Sequence, residues 1–178
     1  MTLQVAQRLF AMLALLGVVA AFGGVVFFLP GMKAVRAKAL EGLGPLLPAL
    51  VVVVSTGATA GSLYFSEIAG FVPCYLCYVQ RWFMYPLVAL TTVAAFAKKK
   101  WLYLFIAFQA IVGASVSTYH VLIQRLETLN FGSCDLSAPC SARWVNEFGF
   151  VTIPTMALFS FLLIAVASLL IRKREATS

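Results

Sequence analysis

Charged side chains are scarce in this chain. Only 11% of its 178 residues are Asp, Glu, Lys or Arg, six of them are acidic, and there is a single histidine. Soluble domains carry about 25% charged residues. A chain that is 62% hydrophobic, with a mean hydropathy of +0.98, cannot hide its apolar surface behind so few charges. This composition excludes an ordinary soluble domain and a disordered tail, and it predicts an integral membrane protein.

Five apolar stretches are long enough to cross a bilayer as helices, which takes about 20 residues each. They cover residues 9–29, 46–65, 78–97, 101–123 and 150–171. The predicted fold is an all-α membrane protein, with one additional N-terminal transmembrane helix and cytoplasmic linker (residues 1–45) and a four-helix transmembrane bundle (residues 46–178). The first stretch is longer than the core of a signal peptide, so we expect the helix to be retained.

The net charge of +7 is explained by topology. Nine of the thirteen basic residues follow the first, third and fifth stretches: Lys33, Arg36, Lys38, Lys98, Lys99, Lys100, Arg172, Lys173 and Arg174. Because basic loops stay in the cytoplasm, we expect the N-terminus outside, the C-terminus inside and no nucleic-acid partner. Both cysteine pairs then face the extracytoplasmic side, where disulfides can form.

The first cysteine pair lies in Pro73-Cys74-Tyr75-Leu76-Cys77, at the outward start of the third stretch. Proline is favoured in the first turn of a helix, and a helix N-terminus stabilises a thiolate. Arg81 follows Cys77 by four residues and shares its helix face. A guanidinium at this depth either snorkels to the headgroups or donates to a polar group bound at the membrane edge.

The second pair, Cys134 and Cys140, lies in a loop that contains Pro139. We expect a strained or mobile loop, with a static disulfide staple as the alternative, followed by a short surface helix through Trp144 and Phe148.

His120 is predicted at the depth of Arg81, either as a packing residue or as a second hydrogen-bond partner for a carbonyl ligand. Four cysteines also permit zinc, although the spacing of the second pair suits it poorly, and we expect no metal. Two thiol pairs otherwise suit an electron relay to a lipophilic acceptor.

Several motifs together resemble the bacterial membrane disulfide-bond-formation family, DsbB, and most closely its C-type, BdbC-like branch in Gram-positive bacteria. They are Pro73-Cys-Tyr-Leu-Cys-Tyr-Val-Gln-Arg81, His120, Cys134-x5-Cys140 and Phe148-Gly-Phe-Val-Thr-Ile-Pro154. The resemblance covers about residues 46–171. It implies a quinone-dependent thiol oxidase of the bacterial cell membrane that reoxidises an extracytoplasmic thioredoxin-like oxidase, with menaquinone more in keeping than ubiquinone.

The resemblance also implies roles for individual residues. Cys134 is attacked by the partner thiolate, and Cys140 resolves that mixed disulfide and attacks the Cys74–Cys77 disulfide. Cys77 then faces the quinone, which Arg81, His120 and Gln80 bind.

Two features depart from the four-helix pattern: residues 1–45 are additional, and the second cysteine pair is closely spaced. The alternative functions are an oxidant similar to vitamin K epoxide reductase and a non-enzymatic membrane subunit whose thiols bind a metal.

Overall fold

The computed structural model describes residues 3–26, 31, 38, 41–97, 99–126 and 139–177. Within them the chain forms five long helices: α1 (Leu3–Val26), α2 (Leu47–Leu63), α3 (Tyr75–Ala97), α4 (Lys100–Arg125) and α5 (Ile153–Thr177). A 3-10 turn (Gly44–Leu46) leads into α2, and a π-helical turn (Tyr64–Ile68) follows it. The all-helical prediction is confirmed for this part of the chain, in which the only β pairing is an isolated bridge.

Four stretches of helix are long and apolar enough to span a membrane. Among the described residues they are Leu3–Val26, Glu41–Ile68, Trp101–Arg125 and Ile153–Arg174. Helix α3 has the necessary length, 23 residues, but carries Gln80 and Arg81 in its first half and is not among the four. Four of the five predicted spans are therefore supported by length and composition. The remaining span, residues 78–97 in α3, stays a prediction.

The bundle core lies among α2, α3, α4 and α5. Its largest fully buried side chains include Leu87, Tyr103 and Phe161. A buried hydrogen bond of 3.0 Å joins the hydroxyls of Ser55 on α2 and Thr91 on α3. Such bonds hold apolar helices in register where the hydrophobic effect between them is weak.

Helix α3 contains Pro86, which has no N–H for the carbonyl one turn earlier. Next to that interruption, the side-chain amide of Gln109 on α4 donates to the Phe83 carbonyl at 2.9 Å. The Phe83 carbonyl is adjacent to the carbonyl at position 82, which loses its helical donor at Pro86, so this bond adds a donor where the helix is weakened. The bond therefore ties α3 to α4 near the middle of their hairpin.

Contacts between distant parts of the chain define the two ends of the bundle. At one end, Arg8 near the start of α1 pairs with Glu147 at 3.7 Å, in the segment that follows Cys140. At the other end, Gly44 lies so close to Arg174 that an added Cβ would meet its side chain at 2.7 Å. The N-terminus and Cys140 thus share one end, and the C-terminus lies at the opposite end.

The predicted surface helix through Trp144 and Phe148 is wrong. Residues 139–152 form turns around the bridge between Glu147 and Val151. Phe148 and Gly149 have φ angles of 55° and 78°, which a right-handed helix cannot contain. The three apolar residues whose spacing indicated a helix do not form one apolar face. Val145 is buried, whereas Trp144 and Phe148 are exposed.

Candidate active site

The first cysteine pair lies at the N-terminus of α3, as predicted. Cys74 immediately precedes the helix, and its carbonyl accepts the backbone N–H of Tyr78 at 3.2 Å. Its Sγ lies 3.1 Å from the Sγ of Cys77. This is hydrogen-bond distance and well beyond the roughly 2.05 Å of a disulfide, so the pair is present as a dithiol.

The surroundings of Cys74 favour its thiolate. The side-chain hydrogen bond with Cys77 lowers the pKa of Cys74 below its ordinary value, burial raises that pKa by less, and His120 lowers it further. A thiolate at Cys74 accepts the hydrogen bond from the Cys77 thiol. Because the thiolate is the nucleophile, Cys74 is the more reactive member of the reduced pair.

His120 joins the two cysteine regions and is almost completely buried, with 1% of its surface exposed. Its Nε2 lies 3.2 Å from the Cys140 carbonyl oxygen and 3.5 Å from the Cys74 Sγ. The side-chain amide nitrogen of Gln80 lies 3.4 Å from its Nδ1. Since an amide N–H can only donate, Nδ1 is the acceptor and the proton resides on Nε2. Gln80 therefore selects the tautomer that donates towards Cys140 and Cys74.

Cys140 is buried and disulfide-bonded, and it belongs to the same apolar cluster as Cys74, Leu76 and Ile123. Cys134 lies outside the described residues. The structure thus brings Cys140 and the dithiol pair together beneath one buried histidine, as an exchange of electrons between them requires.

Gln124, near the end of α4, fixes the segment that carries Cys140. Its amide nitrogen donates to the Ala142 carbonyl at 3.0 Å, and its amide oxygen accepts from the Thr152 hydroxyl at 2.8 Å. The left-handed turn at Phe148 and Gly149 reverses the chain so that Thr152 reaches this position. The Phe-Gly-Phe-Val-Thr-Ile-Pro motif therefore closes the loop onto α4 through its threonine.

Arg81 is fixed by Ser62 on α2. Its Nε donates to the Ser62 hydroxyl at 3.0 Å, and its Nη2 donates to the Ser62 carbonyl at 3.1 Å. That carbonyl also accepts from the Ser66 hydroxyl at 3.3 Å, within the widened π-helical turn. The guanidinium carries five N–H donors, so these two bonds orient it without exhausting its donors.

A cavity of about 520 Å³ lies beside Arg81, within the size range of small-molecule sites. Its walls come from α1, α2, α3 and α5 and from the segments at 71–73 and 144. Cys77, Gln80 and Arg81 line it together with Ser62, whereas most of the remaining lining is apolar. The cavity therefore offers a small polar region with a thiol and a guanidinium, continuous with a larger hydrocarbon-like region.

The chain is similar to known disulfide bond formation proteins. The model of the family "Disulfide bond formation protein DsbB" matches residues 45–171. A "Probable disulfide formation protein" from Oceanobacillus iheyensis is 45% identical over 120 residues, which are 66% of this chain and 83% of that protein. "Disulfide bond formation protein C" from Bacillus subtilis is 41% identical over 125 residues, 70% of this chain and 91% of that protein. No solved structure matches.

The chain belongs to the DsbB family. It is therefore a disulfide bond formation protein with several apolar helices, and the resemblance inferred from the sequence is confirmed. The family match begins at residue 45, so α1 lies outside the matched region.

Within this DsbB-family chain, the structure distributes the predicted site residues over two places. Cys77, Gln80 and Arg81 line the cavity, as expected for a ligand site. His120, which was expected beside Arg81, is not part of that lining and instead contacts Cys74, Cys140 and Gln80. It lines a much smaller cavity of about 20 Å³ with both cysteines of the first pair.

Two functional residues were missed by the sequence reasoning. Ser62, a small residue of α2, is not among the predicted site residues, yet it orients Arg81. Gln124 had no signal in the sequence, whereas its partner Thr152 lies within a recognised motif.

The donor atoms of Cys74, Cys77 and His120 all lie within 4.8 Å of one another, which is close enough to ligate a metal ion.

Proposed function

We propose that this protein is a dithiol:quinone oxidoreductase that reoxidises an extracytoplasmic thioredoxin-like oxidase and passes the electrons to membrane menaquinone. The observation that carries the proposal is the position of the Cys74–Cys77 pair between two environments. Cys77 lines the apolar cavity with Arg81, and Cys74 lies against His120 and the Cys140 region. Menaquinone is proposed because the relatives include Gram-positive proteins.

The first step takes place at the Cys134–Cys140 disulfide. A partner thiolate attacks Cys134, forms a mixed disulfide and releases Cys140 as a thiolate. The partner's second thiol, acting as a thiolate, displaces Cys134, so the partner leaves oxidised and this chain holds a Cys134–Cys140 dithiol. Two electrons have then entered the protein, and no other reductant is needed.

The second step moves those electrons to the inner pair. The Cys140 thiolate attacks Cys74 of the Cys74–Cys77 disulfide and releases Cys77; Cys134 then displaces Cys74 and restores the Cys134–Cys140 disulfide. Supporting this order, Cys74 and Cys140 share one buried cluster, and the His120 Nε2–H points to the Cys74 sulfur and the Cys140 carbonyl. The favoured thiolate at Cys74 assists the second exchange, in which Cys134 displaces Cys74.

The third step returns the inner pair to a disulfide. A quinone bound in the cavity would accept two electrons and two protons from the dithiol and leave as the quinol. The chain's donor set fits such a ligand, because Arg81 offers N–H groups for a carbonyl and Cys77 lies on the same cavity wall. Ser62 holds the guanidinium in place, which reduces the rearrangement needed on binding.

The proposal includes five spans, with the cysteines on the extracytoplasmic side of the bacterial cell membrane. Helix α3 is the fifth span, because it packs between α2 and α4, and the hydrogen bonds that Arg81 donates to Ser62 offset part of the cost of placing its guanidinium in the membrane. We expect an impermeant thiol reagent added to intact cells to label a cysteine substituted for Leu126, which is exposed at the end of α4 that carries the cysteines. Labelling only after membrane disruption would reverse the orientation.

The decisive experiment is a turnover assay with the purified chain, menaquinone and a reduced thioredoxin-like protein. The wild type is expected to consume quinone and partner thiols in a 1:2 ratio, and Cys77→Ser to abolish quinone reduction. Arg125→Met serves as the matched surface control, because Arg125 is exposed and outside the cavity lining. Partner oxidation without quinone consumption would refute the quinone step.

The alternative of a thiol metal site is kept because Cys74, Cys77 and His120 form a compact donor set. Zinc prefers such sulfur and nitrogen ligands in a tetrahedral arrangement. Stoichiometric zinc in the purified protein, with no quinone reduction after its removal, would favour this function over the oxidase. Family membership itself favours a disulfide bond formation protein over an oxidant similar to vitamin K epoxide reductase.

A further inference from the structure

Helix α1 lies outside the family match but is packed closely onto the bundle. Its buried residues are small and include Ala14, Ala21 and Gly24. At Gly24 an added Cβ would meet the Val166 side chain of α5 at 2.5 Å. Small residues at this spacing let two membrane helices approach closely. Helix α1 is therefore held by α5 through a specific interface.

The opposite boundary of α1 faces the large cavity. Leu13, Leu16 and Ala20 line it from α1, while Val53 and Gly57 line it from α2. These α1 side chains are apolar, whereas the thiol and the guanidinium of the cavity come from α3. The part of a ligand that touches α1 is thus hydrocarbon, and the part that touches α3 is polar.

A chain of aromatic rings also connects α1 to the segment after Cys140. Phe10 contacts Phe65 with ring centroids 5.5 Å apart, Phe65 stacks on Phe71 at 5.9 Å, and Phe71 stacks on Trp144 at 5.4 Å. All four rings line the cavity. They close the cavity towards the end of the bundle that carries the cysteines, so a long ligand extends along α1 in the other direction.

We propose that α1 is the side wall for the isoprenoid tail of the quinone and sets how strongly the enzyme depends on that tail. The inference rests on the proposed quinone function. It gives the additional helix a role in substrate selection: α1 and α2 enclose the tail while α3 receives the headgroup. Without the α1 wall, this part of the site would be a groove open to lipid.

The test compares two side chains on α1, one of which lines the cavity while the other does not. Leu16 and Val19 are each 68% exposed, but only Leu16 lines the cavity. Leu16→Trp is expected to raise KM for a tail-bearing menaquinone by about five- to tenfold, because the larger ring displaces tail contacts. It should change KM for the tail-less 2-methyl-1,4-naphthoquinone by less than about twofold. Val19→Trp should leave both values unchanged.

A second measurement does not depend on turnover. Benzoylphenylalanine in place of Leu16 should form a photo-adduct with the tail-bearing quinone, detected as a mass increase of the α1 peptide, whereas the same group in place of Val19 should not. Leu16→Ala, which only removes contact area, should also raise KM for the tail-bearing quinone alone.

The outcomes separate the two proposals. If the wild type reduces quinone but Leu16→Trp and Val19→Trp behave alike and neither position is labelled, the role of α1 is refuted and the oxidase stands. If the wild type reduces neither quinone, the proposed function fails and the role of α1 fails with it.

Discussion

Removing the hydrogen-bond donor at Cys77 should weaken the thiolate at Cys74. The hydrogen bond between the two sulfur atoms is the largest cause of the lowered pKa of Cys74, whose ordinary value is 9.0. A thiol with a lowered pKa stays ionised at pH values below the ordinary pKa of cysteine. It loses reactivity only when the pH falls through the lowered pKa. Cys77→Ala raises the pKa of Cys74, so the loss of reactivity should begin at a higher pH.

The size of the effect follows from the 3.1 Å contact. A hydrogen bond to a charged group contributes about 1.5–3 kcal/mol, and one pKa unit corresponds to about 1.4 kcal/mol, so the pKa should rise by roughly one to two units. The thiolate fraction below both pKa values then falls about 10- to 100-fold. Because a thiolate becomes more nucleophilic as its pKa rises, with a Brønsted coefficient of about 0.4–0.5, the net rate should fall roughly 3- to 16-fold.

The assay is alkylation of the reduced protein by iodoacetamide between pH 3 and pH 9, a range that extends below the lowered pKa of Cys74, about 4, with the Cys74 peptide followed by mass spectrometry. Cys77→Ser is the matched variant, because its hydroxyl can still donate, and we expect it to recover part of the low-pH reactivity. If the Cys77→Ala profile overlays that of the wild type, the Cys77 thiol does not hold the Cys74 thiolate.

Two further predictions concern the cavity and the packing of the bundle. Arg81→Met should raise KM for quinone about 10- to 100-fold, the worth of a charge-assisted hydrogen bond, while thiol exchange with the partner stays unchanged. An unchanged KM, or an equal change in Arg125→Met, would contradict a ligand-binding role. Gly113→Ala should lower the thermal unfolding midpoint in detergent, because the added Cβ would lie 2.5 Å from the buried Phe161 ring. Gly23→Ala, which meets nothing within 4 Å, is the control, and equal shifts in both variants would contradict the packing argument.

The local geometry of the first cysteine pair could be predicted because it lies within one helix. Pro73 indicated where α3 begins, and the helical repeat placed Cys77 and Arg81 on one face. The structure has α3 starting at Tyr75 and both side chains on the cavity wall. The same reasoning failed for residues 144–148, where the spacing indicated a helix but the left-handed turn at Phe148 and Gly149 prevents one.

The position of His120 could not be predicted, because it depends on how α4 is rotated against α3. Sequence depth alone placed His120 level with Arg81. The structure turns it away from the cavity lining, towards Cys74 and Cys140, with Gln80 holding its tautomer. For the same reason Ser62 and Gln124 were missed, since each acts on a residue of another helix or loop.

The sequence by itself determined the class of the protein, its long helices and its family, and it predicted the cysteines that are proposed to carry its chemistry. These features depend on composition, on short motifs and on relations within one helix, which the chain encodes locally. Only the tertiary structure decided which faces meet: it placed His120 between the cysteines, formed the cavity beside Arg81 and packed α1 onto α5 as a wall of that cavity. In a membrane, both the lipid-facing and the bundle-facing sides of a helix are apolar, so the hydrophobic pattern does not reveal which side packs inward.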